Sequence, residues 1–240
     1  MADKLTPEYF DVTVGTLNDF GNETKDFELR FDAGKQMPFI PGQFVSVVLP
    51  KDGKVIRRAY SIASPPEQRT HLNLVIKRVE GGLVTNWFWT LKSGDRFRIH
   101  GPFGKFVLPQ PVDFDPVFVA TGTGVAPFRS MAHSLLKGGF KRKMSLLFGA
   151  RYGNMIPYHS EWQQLAKQYP NFSYLPTVSR PDSTWTGLTG YVQTHISKLV
   201  SDPASARVYI CGLNEMIQPV QESCLKSGMR KDQVSYEKYD

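Results

Sequence analysis

The sequence predicts two domains: an N-terminal antiparallel β-barrel, then a C-terminal α/β domain built on a parallel sheet. Three observations carry this. Before residue 108, short β-rich runs alternate with Gly, Pro and Asp turn signals. After residue 116 the rhythm becomes strand then helix. Between them, "LPQPVDFDP" (108–116) breaks both patterns with prolines and aspartates, so domains of 1–109 and 116–240 are expected.

In order, "FDVTV", "FELRF", "QFVSVVL", "AYSIAS", "HLNLVIKRV" and "DRFRIHG" are the expected strands of the first domain. "TNWFWTL" (85–91) interrupts them as one short helix. In the second half "PVFVA" leads into "APFRSMAHSLL", and "MSLLFGA" leads towards "HSEWQQLAKQ". "FSYLPTVS" precedes "GYVQTHISKLV", and "ARVYICG" precedes "NEMIQPVQESCLKS". Short apolar strands separated by helices suit a parallel sheet covered on both faces.

Composition narrows the class. A chain of 240 residues is long enough for two cores, and 41% apolar with 12% aromatic content excludes a disordered one. The charge of +7 and pI near 9.3 favour acidic partners: nucleic acid, an anionic cofactor or an acidic protein. The one dense basic run, "KGGFKRK" (137–143), falls at the amino edge of the second sheet and reads as a solvated charge run. Nucleic-acid binding is not expected, because the aromatics sit in core patterns rather than along a basic stripe. Cys211 and Cys224 are too few and too far apart for a cysteine zinc site or an internal iron–sulfur cluster. The five histidines show no metal spacing, so no metal is expected. No apolar run reaches membrane-span length, and "MADKLTPEYF" lacks the features of a signal peptide. A cytoplasmic monomer is the expectation.

Three stretches carry chemistry. "VFVATGTGVAPFRS" (117–130) joins a strand to a helix through Gly122 and Gly124. Glycines there allow backbone approach to a pyrophosphate at a helix N-terminus, or simply make a tight turn. Ligands of open α/β sheets bind beyond the strands' carboxyl ends, which carry Arg151, then Ser179 and Arg180, then Cys211 and Gly212. An NAD site would want an acid where Arg151 stands, whereas Arg151 suits a 2′-phosphate. In the first domain, "RRAYSIASPP" (57–66) sets Arg58 and Tyr60 on one side of a strand, with Ser61 beside them. A phosphate-binding fork, a stacking ring and a hydroxyl suit a flavin; an Arg/Tyr pair on a barrel surface is the other reading. "VEGGLVTNWF" (79–88) adds a second anion site, two glycines with Thr85 opening a helix.

Together these residues resemble the ferredoxin–NADP⁺ reductase superfamily, most closely its bacterial ferredoxin/flavodoxin–NADP⁺ reductases. "RAYS" (58–61) resembles the flavin motif R-x-Y-[ST], "GGLVT" (81–85) the flavin-phosphate loop, and "GPFG" (101–104) the turn closing the barrel. "ATGTGVAP" (120–127) resembles the pyridine-nucleotide loop and "CGLNEM" (211–216) the nicotinamide-side motif. The resemblance implies an FAD-binding barrel and an NADP(H)-binding α/β domain. Arg58 would bind the FAD pyrophosphate, Tyr60 stack on the flavin and Ser61 hydrogen-bond near its reactive nitrogen. Gly82 and Thr85 would hold flavin phosphate, and Ala59, Val75, Lys77, Leu83 and Val84 count among the cofactor-binding residues. Gly122, Thr123 and Gly124 would receive NADP(H), Arg151, Ser179 and Arg180 its 2′-phosphate, with Gly212 at the same crevice. Cys211 would lie near the nicotinamide. In the terminal "SYEKYD", Tyr239 would cover the second flavin face and Glu237 lie near the reacting centre. Two positions depart from the family pattern: Tyr191 stands where many relatives have arginine, and Asp240 follows where relatives often end in an aromatic.

The activity implied is hydride transfer between NADPH and FAD, with single electrons passed to or from a separate ferredoxin or flavodoxin. An acidic carrier would suit Lys77, Arg78, Lys92, Arg96 and Lys105. Three alternatives stay open: a free-flavin reductase, the reductase component of an oxygenase, and a non-catalytic flavoprotein electron-transfer subunit.

Overall fold

In the first unit, apolar side chains alternate with polar ones along each strand, so one face of the resulting sheet is buried. Val12, Val14, Phe27, Leu29, Val45, Val47, Leu72, Leu74 and Ile76 supply that face. The computed structural model describes residues 5–21, 23–200 and 202–239. Its strands β1 (Glu8–Asp19), β2 (Thr24–Phe31), β3 (Phe44–Lys51), β4 (Lys54–Ser61), β5 (His71–Lys77) and β6 (Arg96–Phe103) form one antiparallel sheet. The strand order is β4-β3-β6-β1-β2-β5. Asp52 and Gly53 join β3 to β4 with both φ angles positive, the geometry a two-residue hairpin needs.

Helix α1 (Leu83–Phe88) covers this core, starting two residues before the stretch expected from sequence. Phe88 is fully buried and meets Phe27 edge-on at 4.9 Å and Tyr60 at 5.4 Å between centroids. Past β4 the chain runs between the start of β3 and the edge strand β5: Ile62 N donates to Gln43 O (3.0 Å), and Ala63 N donates to Asn73 O of β5 (2.9 Å). Asn73 is buried and its side-chain amide donates to both carboxylate oxygens of buried Asp26 at 3.1 Å. Its backbone N donates to Ser64 Oγ at 3.0 Å.

Helix α2 (Val125–Lys137) follows the first strand of the second half, yet Ala126–Leu135 group with the first unit. Side-chain chemistry explains this. Arg129 Nη1 donates to Ala63 O (3.1 Å), Ser134 Oγ donates to Glu67 Oε1 (2.9 Å), and Phe128 lies 5.9 Å from Phe106.

The second unit holds β7 (Asp115–Thr121), β8 (Met144–Ala150), β9 (Phe172–Val178), β10 (Leu188–Thr189), β11 (Ala206–Leu213) and β12 (Val234–Tyr239), all parallel, in the order β10-β9-β8-β7-β11-β12. Its helices are α3 (His159–Gln168), α4 (Ile196–Leu199) and α5 (Asn214–Lys226). Phe118, Val119, Leu146, Leu147 and Phe148 are buried in succession along β7 and β8, as strands covered on both faces require. One element of this unit differs from the sequence-based expectation. "GYVQTHISKLV" contains a 3₁₀ turn (Val192–His195) and only the four-residue α4, because β-branched residues weaken the helix and His195 Nε2 is engaged with Thr189 O at 3.0 Å. "SYEKYD" contributes a paired strand: β12 lies beside β11 with Cys211 opposite Glu237 and Leu213 opposite Tyr239. Asp240 falls outside the described residues.

Asn73→Ala is expected to strip the amide donor shared by both oxygens of the buried Asp26 carboxylate and cost about 2–3 kcal/mol. Urea denaturation should show a lower midpoint with an unchanged slope.

Candidate cofactor-binding site

The geometry of β4 decides which side of it is available. Arg58 and Tyr60 pair with Val47 and Val45, two core residues, so both side chains belong to the sheet's buried face. β4 is an edge strand, and Arg58 is exposed between two residues packed on the core, Ile56 and Tyr60, with Nη1 donating to Arg57 O at 2.8 Å. Tyr60 is half-buried against Phe88; burial pushes its hydroxyl up to about 12, with the Arg58 charge opposing. Ser61, on the other side of the strand, is buried, and Ala59 is exposed. On β5, Val75 is buried while Lys77 is exposed.

The glycine loop before α1 is built around Thr85. Gly82, rather than Thr85, is the residue that opens the helix. The Thr85 hydroxyl accepts from Val79 N (3.2 Å) and donates to Gly82 O (3.2 Å), which ties the loop to itself. Gly81 has φ +70° with open space around it, whereas a Cβ on Gly82 would crowd Thr85 Oγ1. Leu83 is exposed and Val84 buried in the same turn. Beside the loop is an open hollow of about 540 Å³ lined by Glu23, Arg78, Glu80, Gly81 and Asn86. An exposed guanidinium, a half-buried ring and two adjacent glycines at the start of a helix fit a flavin dinucleotide.

In the second unit, Gly122–Gly124 form a 3₁₀ turn between β7 and α2. Gly122 has φ +56° and open surroundings, and Thr123 is half-buried. Gly124 has no room for a side chain, since a Cβ would strike the Cys211 carbonyl. Gly212, at φ +149°, is pressed against the Thr121 hydroxyl, a buried oxygen without a hydrogen-bond partner among the described residues. Exposed glycine backbone beside an unsatisfied hydroxyl fits a polar ligand at this edge.

Cys211 is fully buried. Desolvation raises its thiol well above the ordinary range, the Glu237 charge raises it further, and a hydrogen bond with Tyr239 opposes both. Cys211, Glu237 and Tyr239 therefore meet on adjacent strands. The thiol is neutral at ordinary pH, which makes it a packing surface rather than a nucleophile.

Arg151, Ser179 and Arg180 come together at the ends of β8 and β9. Ser179 N donates to Ala150 O (3.0 Å) and Arg180 N to Arg151 O (2.9 Å), so the pairing continues beyond both strands. Both arginines are exposed, and among the described residues no carboxylate holds either guanidinium. Of the expected docking cations, Arg96 is bound by both oxygens of Asp32 (2.8 and 3.0 Å), and Arg78 is shared between Asn86 and Glu23. Lys77, Lys92 and Lys105 are exposed. Among the described residues there is no cluster of His, Cys, Asp or Glu that could hold a metal ion, and no helix is long and apolar enough to cross a membrane.

Sequence reasoning missed two residues. Arg129 holds the carbonyl two residues beyond Ser61; its only trace in sequence is its place one turn into the helix after the glycines. Trp185 packs on Gly153 and Gly187, a contact that no spacing rule reveals.

Comparison with known proteins identifies both domains. Residues 11–108 match the oxidoreductase FAD-binding domain, and residues 118–222 the oxidoreductase NAD-binding domain. The chain is thus an FAD- and NAD(P)H-dependent oxidoreductase. It is 38% identical over 222 residues to ferredoxin–NADP reductase B of Sorangium cellulosum, covering 89% of this chain and 91% of that protein. With the phenol hydroxylase P5 protein of Acinetobacter pittii it shares 30% identity over 235 residues, 96% of this chain but only 65% of the relative. Among solved structures, Amycolatopsis cytochrome P450 reductase GcoB superposes with a TM-score of 0.88 at 26% identity, over 99% of this chain and 73% of that one. A Neisseria gonorrhoeae ferredoxin NADP⁺ reductase with bound FAD and NADP shares the fold, with a TM-score of 0.82 at 20% identity over 96% of this chain and 98% of that one. The chain belongs to the ferredoxin–NADP⁺ reductase family.

Burial raises the Cys211 thiol and lifts Cys224 to about 12, so native protein at pH 8 is expected to give essentially no reaction with a thiol reagent such as DTNB, and unfolded protein two equivalents. Because these acids are weaker when folded, their contribution to stability is complete below about pH 8.5, the unfolded value, and is lost as pH rises above it. Cys224→Ala should flatten part of that alkaline decline.

Proposed function

We propose that this chain catalyses reversible electron transfer between NADPH and a separate ferredoxin or flavodoxin through bound FAD. The observation that carries the proposal is the pair of unneutralised arginines joined by backbone at the ends of β8 and β9. FAD, when bound, would supply the exchange between hydride and single electrons. Arg58 and the Gly82–Thr85 loop, with Leu83 and Val84, would hold its phosphates; Tyr60 would stack on its ring beside Ala59, Val75 and Lys77; Ser61 would hydrogen-bond at its edge. Gly122, Thr123, Gly124 and Gly212 would receive NADP(H), with Ser179 and both arginines on the 2′-phosphate. Tyr191, where many relatives place an arginine, is exposed and carries no charge, so on this reading the 2′-phosphate would be held by Ser179 and the two arginines alone. Cys211 would pack near the nicotinamide as a neutral thiol, backed by Glu237, with Tyr239 covering the second flavin face.

On this reading residues 1–109 bind FAD and residues 116–240 bind NADP(H). The first sheet closes as a barrel; the Ile62–Leu74 bridge and the Ala63–Asn73 hydrogen bond, which link the two edges of the strand order, support closure. A soluble acidic carrier as partner is supported by the +7 charge and by the reductase of Sorangium cellulosum. Two buried free thiols support a cytoplasmic setting. The phenol hydroxylase protein supports a second reading, the reductase component of an oxygenase, which would still use this flavin and nucleotide site.

Anaerobic stopped-flow reduction with NADPH and with NADH tests the proposal. Bound flavin should bleach faster, or at lower concentration, with NADPH. Arg151→Ala with Arg180→Ala should remove about tenfold or more of that preference while leaving NADH reduction nearly unchanged. Flavin that neither nucleotide reduces would defeat the proposal. Charge reversal at Lys92 and Lys105 should slow ferredoxin reduction at low salt by about threefold or more but leave ferricyanide reduction alone.

A further inference from the structure

We infer that Trp185 is a positioning residue that sets the spacing of Arg151 and Arg180, and with it the discrimination between a 2′-phosphorylated and a plain adenosine ribose. The inference rests on the role proposed for those two arginines. They start from neighbouring backbone, joined by the 2.9 Å bond from Arg180 N to Arg151 O. Beyond that bond the two segments separate. One enters the 3₁₀ turn Gly153–Met155, and the other enters the loop before β10.

Trp185 spans the gap. A Cβ on Gly153 would fall 2.7 Å from its Cε3, and a Cβ on Gly187 would fall 2.6 Å from its Cζ2, so the indole rests directly on both glycines. Its Nε1–H donates to Leu188 O at 2.8 Å, which fixes the ring's direction. The His159 ring stands 6.3 Å away on a further side. The loop carrying Trp185 is tied as well: the Asp182 carboxylate accepts from Thr184 N (2.8 Å) and Thr184 Oγ1 (2.6 Å), and Trp185 N donates to Asp182 O (3.2 Å). Neither glycine tolerates a side chain while the indole is seated. Trp185 thus acts as a rigid plate between the loop after Arg151 and the loop after Arg180.

The consequence for recognition follows from geometry. Each guanidinium alone can reach an anion from a range of backbone positions. Engaging one phosphate with both needs the two loops held at one separation, and any freedom between them must be lost on binding. Removing the plate should therefore weaken the 2′-phosphate contribution and leave contacts to the rest of the nucleotide unchanged.

The test is calorimetric binding of 2′,5′-ADP and of 5′-AMP to the purified flavoprotein, whose ratio reads the 2′-phosphate alone. Trp185→Ala is expected to reduce that ratio about fivefold or more, with 5′-AMP affinity within about twofold of the parent protein. Trp185→Phe should retain most of the ratio. Gly153→Ala should lower it in the parent but have no further effect on top of Trp185→Ala, because the added methyl meets only the indole. The arginine double variant separates the two ideas. If it abolishes the ratio and Trp185→Ala does not change it, the positioning role is overturned and the arginine assignment stands. If the arginine variant leaves the ratio intact, both are overturned. Should Trp185→Ala fail to fold, Gly153→Ala and Trp185→Phe decide by the same criterion: a Gly153→Ala ratio equal to the parent's overturns the role.

Discussion

The Cys211 carbonyl occupies the place where a Cβ of residue 124 would stand, and the second unit's candidate site depends on that contact. It results from the parallel pairing of β7 with β11, which aligns Ala120 with Cys211 and brings the following turn onto the neighbouring strand end. Any side chain at 124 would force the turn off the sheet edge. Gly212 repeats the constraint one residue later against Thr121. On its other flank β11 pairs with β12, so the same cysteine meets Glu237 and Tyr239 through its side chain. One residue thus limits the turn by its backbone and faces the terminal strand with its side chain, and burial keeps that thiol protonated.

The first unit solves a different problem. An edge strand must present Arg58 to a ligand while Tyr60, two residues on, remains seated on the core. Strand periodicity puts both on one face, and Phe88 gives Tyr60 its seat there. The segment after Ser61 is then held from three directions, by Gln43, Asn73 and Arg129. The last comes from a helix that chain order assigns to the other half. Sequence order and spatial grouping diverge here because one guanidinium and one hydroxyl find their acceptors in the loop of residues 63–67.

The charge pattern also looks different in three dimensions. Five cations suggested a docking surface in the sequence, but Arg96 and Arg78 are neutralised by Asp32 and Glu23. Exposed pairs of this kind add little stability, yet they remove local charge from the surface. Lysines 77, 92 and 105 are exposed.

What the sequence determined by itself is the change from period-2 strands to alternating strands and helices, and the motifs at strand ends. Both depend on local spacing, and so "RAYS", "GGLVT", "ATGTG" and "CGLNEM" could be read without coordinates. Cys211 and Gly124 could each be singled out as strand-end residues, but not their contact, which is separated by almost ninety residues and exists only through β7–β11 register. The terminal strand was ambiguous because "SYEKYD" has few apolar residues, and pairing with β11 rather than intrinsic preference orders it. The tertiary structure alone decided the grip of Arg129, the opening of α1 at Gly82 and the seat of Trp185 between two glycines. In each case the partner lies on another segment, or the geometry depends on packing, and no one-dimensional period encodes either.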